Sequence, residues 1–151
     1  MMESKFVYVT YIGASPEKVW EALTEGDISE QYFFGTRIES KWEEGSSVTY
    51  SRNGEVTDEG SVLKYDPAHE LSFTWTHRND DTPRESPTVV TYKLQHMDST
   101  VKLTLIHDNM VKTDFVEKEG TFEGVNNGWP AILSNLKTFL ETGKTLPALS
   151  L

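Results

Sequence analysis

Between residues 36 and 108 the chain shows one β-strand pattern after another, and a long helical pattern follows. Six segments in this stretch are rich in β-branched and aromatic residues or alternate apolar with polar residues. They are Thr36–Trp42, Ser47–Arg52, Val56–Tyr65, Leu71–His77, Thr88–Gln95 and Thr100–His107. The dipeptide Asn53-Gly54 is the strongest two-residue hairpin signal in the chain. Strands that follow each other at such short spacing predict an antiparallel meander.

One strand and two short helices are predicted before the meander. Residues 5–12 are rich in β-branched and aromatic types and indicate a strand. Ser15 is a good N-cap and Pro16 occupies the first helical position, so a helix begins here. This helix is expected to bury Trp20 against the sheet. A second helical piece is predicted over Ile28–Phe33, after an interruption at Gly26 and Asp27.

The C-terminal third of the chain contains a helical stripe that ends at Gly143, a typical C-cap residue. Apolar residues recur at steps of three and four: Val125, Trp129, Ile132, Leu133, Leu136, Phe139 and Leu140. Because proline is unfavourable inside a helix, Pro130 leaves two alternatives for where this helix begins. The helix begins near it, or it is kinked there and extends upstream through Phe115–Phe122. We favour the kinked extension. Residues 144–151 form a tail that folds back on the core or stays loose.

The order of these elements is β–α–α–β6–α, which predicts an α+β sandwich. A strongly curved antiparallel sheet of this size must cover its apolar face, and the long C-terminal helix can do so. The sheet then wraps around that helix, and the two layers can enclose an internal cavity. With no repeat or linker composition in the sequence, we expect a single domain over residues 1–151 with its core at about 5–143.

Composition narrows the classes of function. The formal net charge is −10, from 14 Lys and Arg against 24 Asp and Glu, which would repel a phosphate backbone. We therefore expect no nucleic-acid partner. The longest apolar run, Phe6–Val9, is far too short for a membrane span, and no signal peptide is visible. Cysteine is absent, which removes thiol chemistry and makes the cytoplasm the default location.

Three segments in this order resemble the START-like superfamily, also called helix-grip or SRPBCC. The chain is similar, within it, to bacterial proteins related to the C-terminal domain of the activator of heat-shock protein 90 ATPase. The segments that carry the resemblance are Ala14–Thr24, then Gly54-Glu55-Val56 with Asp66-Pro67 ahead of Leu71–Trp75, and finally Gly128–Lys137 with Leu140–Gly143. The resemblance covers about residues 5–143. It implies a deep cavity between the sheet and the C-terminal helix that holds an apolar molecule.

Aromatic and polar side chains on the expected inner faces are the candidate ligand-binding residues. Trp75 shares its strand face with Phe73 and His77, so it can give stacking surface beside a polar anchor. The alternative is that Trp75 and Trp129 have a structural role only and fill the core. The full set of candidates is Phe34, Tyr50, Phe73, Trp75, His77, Tyr92, His107, Trp129 and Leu133.

The sequence contains no convergent nucleophile and base. His77 and His107 both end alternating strands, and they could form a proton shuttle or part of a metal site if those strands were neighbours. Neither histidine belongs to a ligand-spaced motif, and no phosphate loop or nucleophile elbow is visible, so we expect no metal and no cofactor. Asp80 and Asp81 are interpreted as surface charge in a polar loop.

Three hypotheses of function follow. We favour a binding domain for an apolar small molecule, lipid-like or aromatic, over an enzyme. The second is a cyclase or hydrolase of the polyketide-cyclase type, with His77 or His107 as base and a tyrosine hydroxyl as partner. The third is a protein-binding domain with a chaperone partner, which the resemblance implies, together with a role in stress response. The sequence leaves monomer and homodimer open, since an edge strand such as Val7–Tyr11 could pair across a dimer.

Overall fold

The structure, a computed structural model, describes residues 4–147 and has the predicted order of elements. Seven strands and three helices form it. The strands are β1 (Ser4–Ile12), β2 (Arg37–Ser40), β3 (Ser47–Arg52), β4 (Glu55–Asp66), β5 (Glu70–His77), β6 (Thr88–Met97) and β7 (Thr100–Met110). The helices are α1 (Pro16–Thr24), α2 (Gly26–Tyr32) and α3 (Val125–Thr142), and a short 3₁₀ turn covers Lys112–Asp114. None of the helices within residues 4–147 is long and apolar enough to cross a membrane.

All seven strands form one antiparallel sheet in the order β1-β7-β6-β5-β4-β3-β2. The meander from β2 to β7 is therefore intact, and β1 joins it beside the last strand. Val7 pairs with Ile106 across the β1–β7 border, for example. This curved sheet with its C-terminal helix confirms the predicted α+β helix-grip fold.

The pairing of β4 with β5 is irregular near Gly60. The pairing register shifts between Val62 and Lys64, as at a β-bulge. A Cβ atom on Gly60 would lie 1.7 Å from the carbonyl oxygen of Thr74, which leaves no room for any side chain. The Thr74 hydroxyl accepts a hydrogen bond from the Ser61 backbone N–H at 2.9 Å. Gly60 therefore allows the close approach of the β4 and β5 backbones at this irregularity.

Helices α1 and α2 lie between β1 and β2 and meet at a sharp break. The Ser15 hydroxyl accepts a hydrogen bond from the Lys18 N–H, which confirms the predicted N-cap. The break falls at Glu25, which has extended backbone angles, and α2 begins at Gly26 instead of at Ile28. Trp20 is buried as expected, and its ring packs on Tyr65 at 5.4 Å.

Helix α3 begins at Val125, so the predicted extension through Phe115–Phe122 is wrong. Past the 3₁₀ turn the chain runs irregularly to Gly124, because Gly120 and Gly124 both have positive φ angles, which a helix does not allow. Pro130 is tolerated inside α3 near its beginning. Gly143 ends the helix in the left-handed conformation, as predicted.

The buried stripe of α3 packs onto the inner face of the sheet and also fixes the start of the tail. Leu133 and Leu136 are fully buried. The buried Asn135 amide donates to the Tyr32 carbonyl at 3.0 Å, and its oxygen accepts from the Leu146 N–H at 2.7 Å. The tail therefore folds back at least as far as Leu146. Residues 148–151 lie outside the described residues.

Candidate functional site

A cavity of about 480 Å³ opens where β5 and β7 end and α3 begins. Its floor is apolar and mostly aromatic, formed by Trp75, His107, Met110, Trp129 and Ile132. Its rim is polar, formed by His77, Asn79, Asp80, Arg84 and Asp114. Apolar walls with a few polar groups at one end are typical of small-molecule sites.

A chain of hydrogen bonds runs under the floor of this cavity. The Trp129 indole N–H donates to Nδ1 of His107 at 3.0 Å, and Nε2 of His107 lies 3.0 Å from the Thr88 hydroxyl. The Thr88 hydroxyl in turn donates to the Trp75 carbonyl. Because an indole nitrogen can only donate, Nδ1 of His107 must be an unprotonated acceptor and Nε2 must carry the proton. The chain thereby fixes both the tautomer and the ring orientation of His107.

His107 is held in its neutral form. Burial lowers the pKa of His107 to about 4, from an ordinary value of 6.5. Protonation of Nδ1 would also place two donors against each other, since Trp129 already donates to that atom. Both ring nitrogens are engaged, so in this arrangement His107 has no free lone pair for a bound molecule.

The rim contains a three-residue ion cluster. Arg84 makes a two-pronged contact with Asp114, at 2.7 and 2.6 Å, and donates from Nε to Asp80 at 3.0 Å. Each of the three side chains is less than a fifth exposed. The cluster has a net charge of −1, because it contains two carboxylates and one guanidinium.

These interactions keep both carboxylates ionised. Burial alone would raise the pKa of Asp114, but hydrogen bonds from Arg84 and from the Val111 N–H lower it below its usual value. Burial acts the same way on Asp80, and hydrogen bonds from Thr82 and Arg84 lower its pKa. The hydrogen bond to Asp114 is the main reason that the pKa of Arg84 is raised.

Behind the floor, aromatic rings fill the space between the sheet and α3. Trp75 stacks on Tyr50 with ring centroids 4.6 Å apart and on His107 at 5.5 Å. Trp129 presents its ring edge-on to Trp75 at 5.4 Å and to Tyr92 at 6.1 Å. Offset and edge-on contacts of this kind are the favourable geometries for aromatic pairs. The expected deep cavity is thus packed in its interior and open at one end.

The nine candidate residues fall into three places. Those that line the cavity are Trp75, His77, His107 and Trp129. Those in the buried core directly behind it are Tyr50, Phe73, Tyr92 and Leu133. Phe34 lies apart from both groups, beside a second cavity, where its ring packs on Phe122 at 5.7 Å.

His77 and His107 do not come from neighbouring strands, because β6 lies between β5 and β7. They border the same cavity with different surroundings. His77 is exposed, and its Nδ1 accepts from the Asn79 N–H at 3.1 Å. His107 is buried in the chain of hydrogen bonds described above.

Sequence reasoning missed the ion cluster. Asp80 was expected to be surface charge, but its side chain is only 19% exposed and is paired with Arg84. The loop composition carries no signal for this, because Asp114 is 30 residues away from Arg84 in sequence. Met110 was also missed, since the predicted strand ended at His107 and β7 continues to Met110.

Comparisons with known proteins agree with the fold. Residues 13–141 match the model of the family described as Activator of Hsp90 ATPase homolog 1-like protein. A search of curated proteins finds no significant match to the sequence.

Solved structures extend this likeness over most of the chain. The solution structure of ChR145 from Cytophaga hutchinsonii is 31% identical, with a TM-score of 0.71 over 95% of this chain and 98% of that one. An Aha1 dimer from Colwellia psychrerythraea is 23% identical, with a TM-score of 0.71 over 93% of this chain and 98% of that one. An HSP90 activator from Plasmodium falciparum is 20% identical, with a TM-score of 0.70 over 91% of this chain and 96% of that one. The chain therefore belongs to the Activator of Hsp90 ATPase homolog 1-like protein family, within the START-like superfamily.

Proposed function

We propose that this protein binds an apolar, ring-containing small molecule in the cavity at the start of α3. The observation that carries the proposal is the wall of that cavity, where Trp75 and Trp129 meet edge-on beside Met110 and Ile132. A flat apolar ligand would gain both burial of its surface and ring contacts there. The guanidinium of Arg84 at the rim is already paired with Asp80 and Asp114, so the rim does not favour an anionic ligand.

Binding is better supported than catalysis by the same geometry. The cyclase alternative requires a histidine base and a tyrosine hydroxyl that reach one bound carbonyl. His107 has both ring nitrogens engaged, so it offers no base to a bound carbonyl. His77 borders the cavity, but its Nδ1 is engaged by the Asn79 N–H. We therefore propose a binding role without a chemical step.

Equilibrium dialysis with 2-acetylnaphthalene tests this proposal. The wild-type protein should bind the probe saturably with a stoichiometry near one. Val125→Trp should weaken binding tenfold or more, because Val125 lines the cavity and a larger side chain would fill it. Val7→Trp is the matched control, since it makes the same exchange on the outer face of β1. The proposal fails if the wild type does not bind the probe, or if both variants weaken binding equally.

A protein partner is a second candidate function, supported by the outer face of β1. Val7, Val9 and Tyr11 share this face on an edge strand, and each is more than two-fifths exposed. Exposed apolar patches commonly mark interaction surfaces. One structural relative is described as an HSP90 activator, so a chaperone is the partner to test first. Calorimetric titration with purified Hsp90 should give binding that Val9→Lys abolishes and Val125→Trp leaves intact; a titration without heat rejects this candidate.

A further inference from the structure

Tyr50 carries a buried hydroxyl group without a hydrogen-bond partner among residues 4–147. The residue lies in the middle of β3, and only 2% of its surface is exposed. Polar groups that are buried without a partner are rare, because they lose water and gain nothing in return. Tyr32 shows the usual arrangement in the same core, since its hydroxyl donates to the Ala22 carbonyl at 2.7 Å. The Tyr50 hydroxyl therefore needs an explanation.

The ring of Tyr50 is separated from the cavity by a single side chain. Trp75 stacks on the Tyr50 ring at 4.6 Å, with the two planes 14° apart, and Trp75 also lines the cavity. The other rings around Tyr50 belong to Phe33 and Phe73, which are buried and do not line the cavity. The shortest way from the cavity to Tyr50 therefore passes through the position of the Trp75 indole.

Trp75 is held in a different way from the other three tryptophans. The indole N–H groups of Trp20, Trp42 and Trp129 all donate hydrogen bonds, to Tyr65, Thr24 and His107 respectively. The Trp75 indole makes no hydrogen bond to any residue in the described part of the chain, and its ring is half-buried at the end of β5. Ring packing alone keeps it against Tyr50. A ligand ring could replace that packing with an equivalent contact.

We propose that Tyr50 is the buried polar anchor of the ligand site: the Trp75 indole turns aside, a ligand ring takes its place, and the Tyr50 hydroxyl donates a hydrogen bond to a neutral oxygen on the ligand. The ligand class is then an apolar ring system that carries a carbonyl or ether oxygen. The inference rests on the proposed binding function and assigns its specificity.

The charge state of the site agrees with a neutral acceptor. Burial raises the pKa of Tyr50, so its hydroxyl keeps its proton and can donate. A carboxylate would be costly to bury among Tyr50, Trp75 and Phe73. The nearby cation of the cavity, Arg84, is already bound to Asp80 and Asp114.

A matched pair of ligands tests the anchor directly. 2-Acetylnaphthalene has a carbonyl oxygen where 2-ethylnaphthalene has only hydrogens. By equilibrium dialysis the wild type should bind the ketone about tenfold more tightly than the hydrocarbon, as one hydrogen bond predicts. Tyr50→Phe should bind both compounds like the hydrocarbon. If the wild type binds both equally, or if Tyr50→Phe keeps the preference, the anchor is wrong while the binding function stands. If neither compound binds, both proposals fail.

Unfolding of the ligand-free protein gives an independent readout. Tyr50→Phe should leave the urea midpoint unchanged or raise it, since the hydroxyl has no partner to lose. Tyr32→Phe is the control for loss of a buried tyrosine hydroxyl, and it should lower the midpoint because Ala22 loses its donor. If Tyr50→Phe lowers the midpoint as much as Tyr32→Phe does, the hydroxyl is already bound to an internal water and the proposal is overturned.

Discussion

Trp129 at the start of α3 donates its indole N–H to Nδ1 of His107 in β7, across 3.0 Å. This contact joins the helix to the sheet at the floor of the cavity. It also leaves His107 only one arrangement, with its proton on Nε2 and directed at Thr88. A residue that resembles a candidate base in the sequence is therefore a fixed, neutral part of the cavity wall.

The first prediction concerns stability against pH. The pKa of His107 is about 4 when folded and ordinarily 6.5, so the unfolded chain takes up a proton first as the pH falls. Stability should be complete above about pH 6.5 and decrease by roughly 3 kcal/mol towards pH 4. Urea unfolding at pH 7 and pH 4.5 measures this loss.

Two variants separate His107 from other groups. His107→Gln should be less stable at pH 7, by about 1–3 kcal/mol, because the chain of hydrogen bonds is disturbed. It should also show a flatter change between pH 7 and 4.5. His69→Gln makes the same exchange at an exposed histidine that does not line the cavity, and it serves as the matched control. An unchanged slope in His107→Gln would contradict the neutral, buried state of His107.

The second prediction concerns ligand charge. Because the ion cluster at the rim has one net negative charge, 1-naphthylmethylamine should bind about tenfold more tightly than 1-naphthoate at low salt. Asp80→Asn makes the cluster neutral and should reduce this preference several-fold. Asp81→Asn changes the total charge equally from an exposed position that does not line the cavity. Equal effects of the two variants, measured by calorimetry, would show that only the net charge of the protein matters.

The third prediction concerns the loop that enters α3. Gly124 has φ 84° and ψ 152°, and a Cβ atom there would lie 2.7 Å from the Val116 backbone nitrogen. Gly124→Ala should therefore cost about 1–3 kcal/mol and weaken binding, since Gly124 lines the cavity. A Cβ atom at Gly120 would have no neighbour within 4 Å, so Gly120→Ala strains only the backbone. It should lower the free energy of unfolding by less than Gly124→Ala does and leave binding unchanged. Equal losses of stability in the two variants would contradict this account of the loop.

Local patterns in the sequence were sufficient for most of the fold. Alternation in β7 and the steps of three and four in α3 are properties of single segments, and both are confirmed. β5 is a strand as predicted, but burial does not alternate along it, because Leu71, Ser72 and Phe73 are all buried. The extension through Phe115–Phe122 is wrong because Gly120 and Gly124 adopt positive φ angles, which end any helix despite the apolar spacing of the segment. The backbone angles of these glycines therefore determine that this segment is irregular and not helical.

The site could be predicted only in part, because it depends on contacts between distant segments. Trp75, His107 and Trp129 lie on faces that the patterns predict, and they meet at the cavity. The pairing of Arg84 with Asp114 depends on how a loop and the end of β7 come together, which no local pattern contains. The sequence pattern of β3 does not settle to which face of the sheet Tyr50 points. Only the structure shows that its hydroxyl is buried without a hydrogen-bond partner among the described residues.

The indole region of a ¹H–¹⁵N correlation spectrum tests the central claim most directly. The chain has four tryptophans, of which Trp75 and Trp129 line the cavity and Trp20 and Trp42 do not. On titration with 2-acetylnaphthalene, the Nε1–H signals of Trp75 and Trp129 should shift saturably and together. Those of Trp20 and Trp42 should stay in place. Equal shifts of all four signals, or no shift at Trp75 and Trp129, would contradict binding in this cavity.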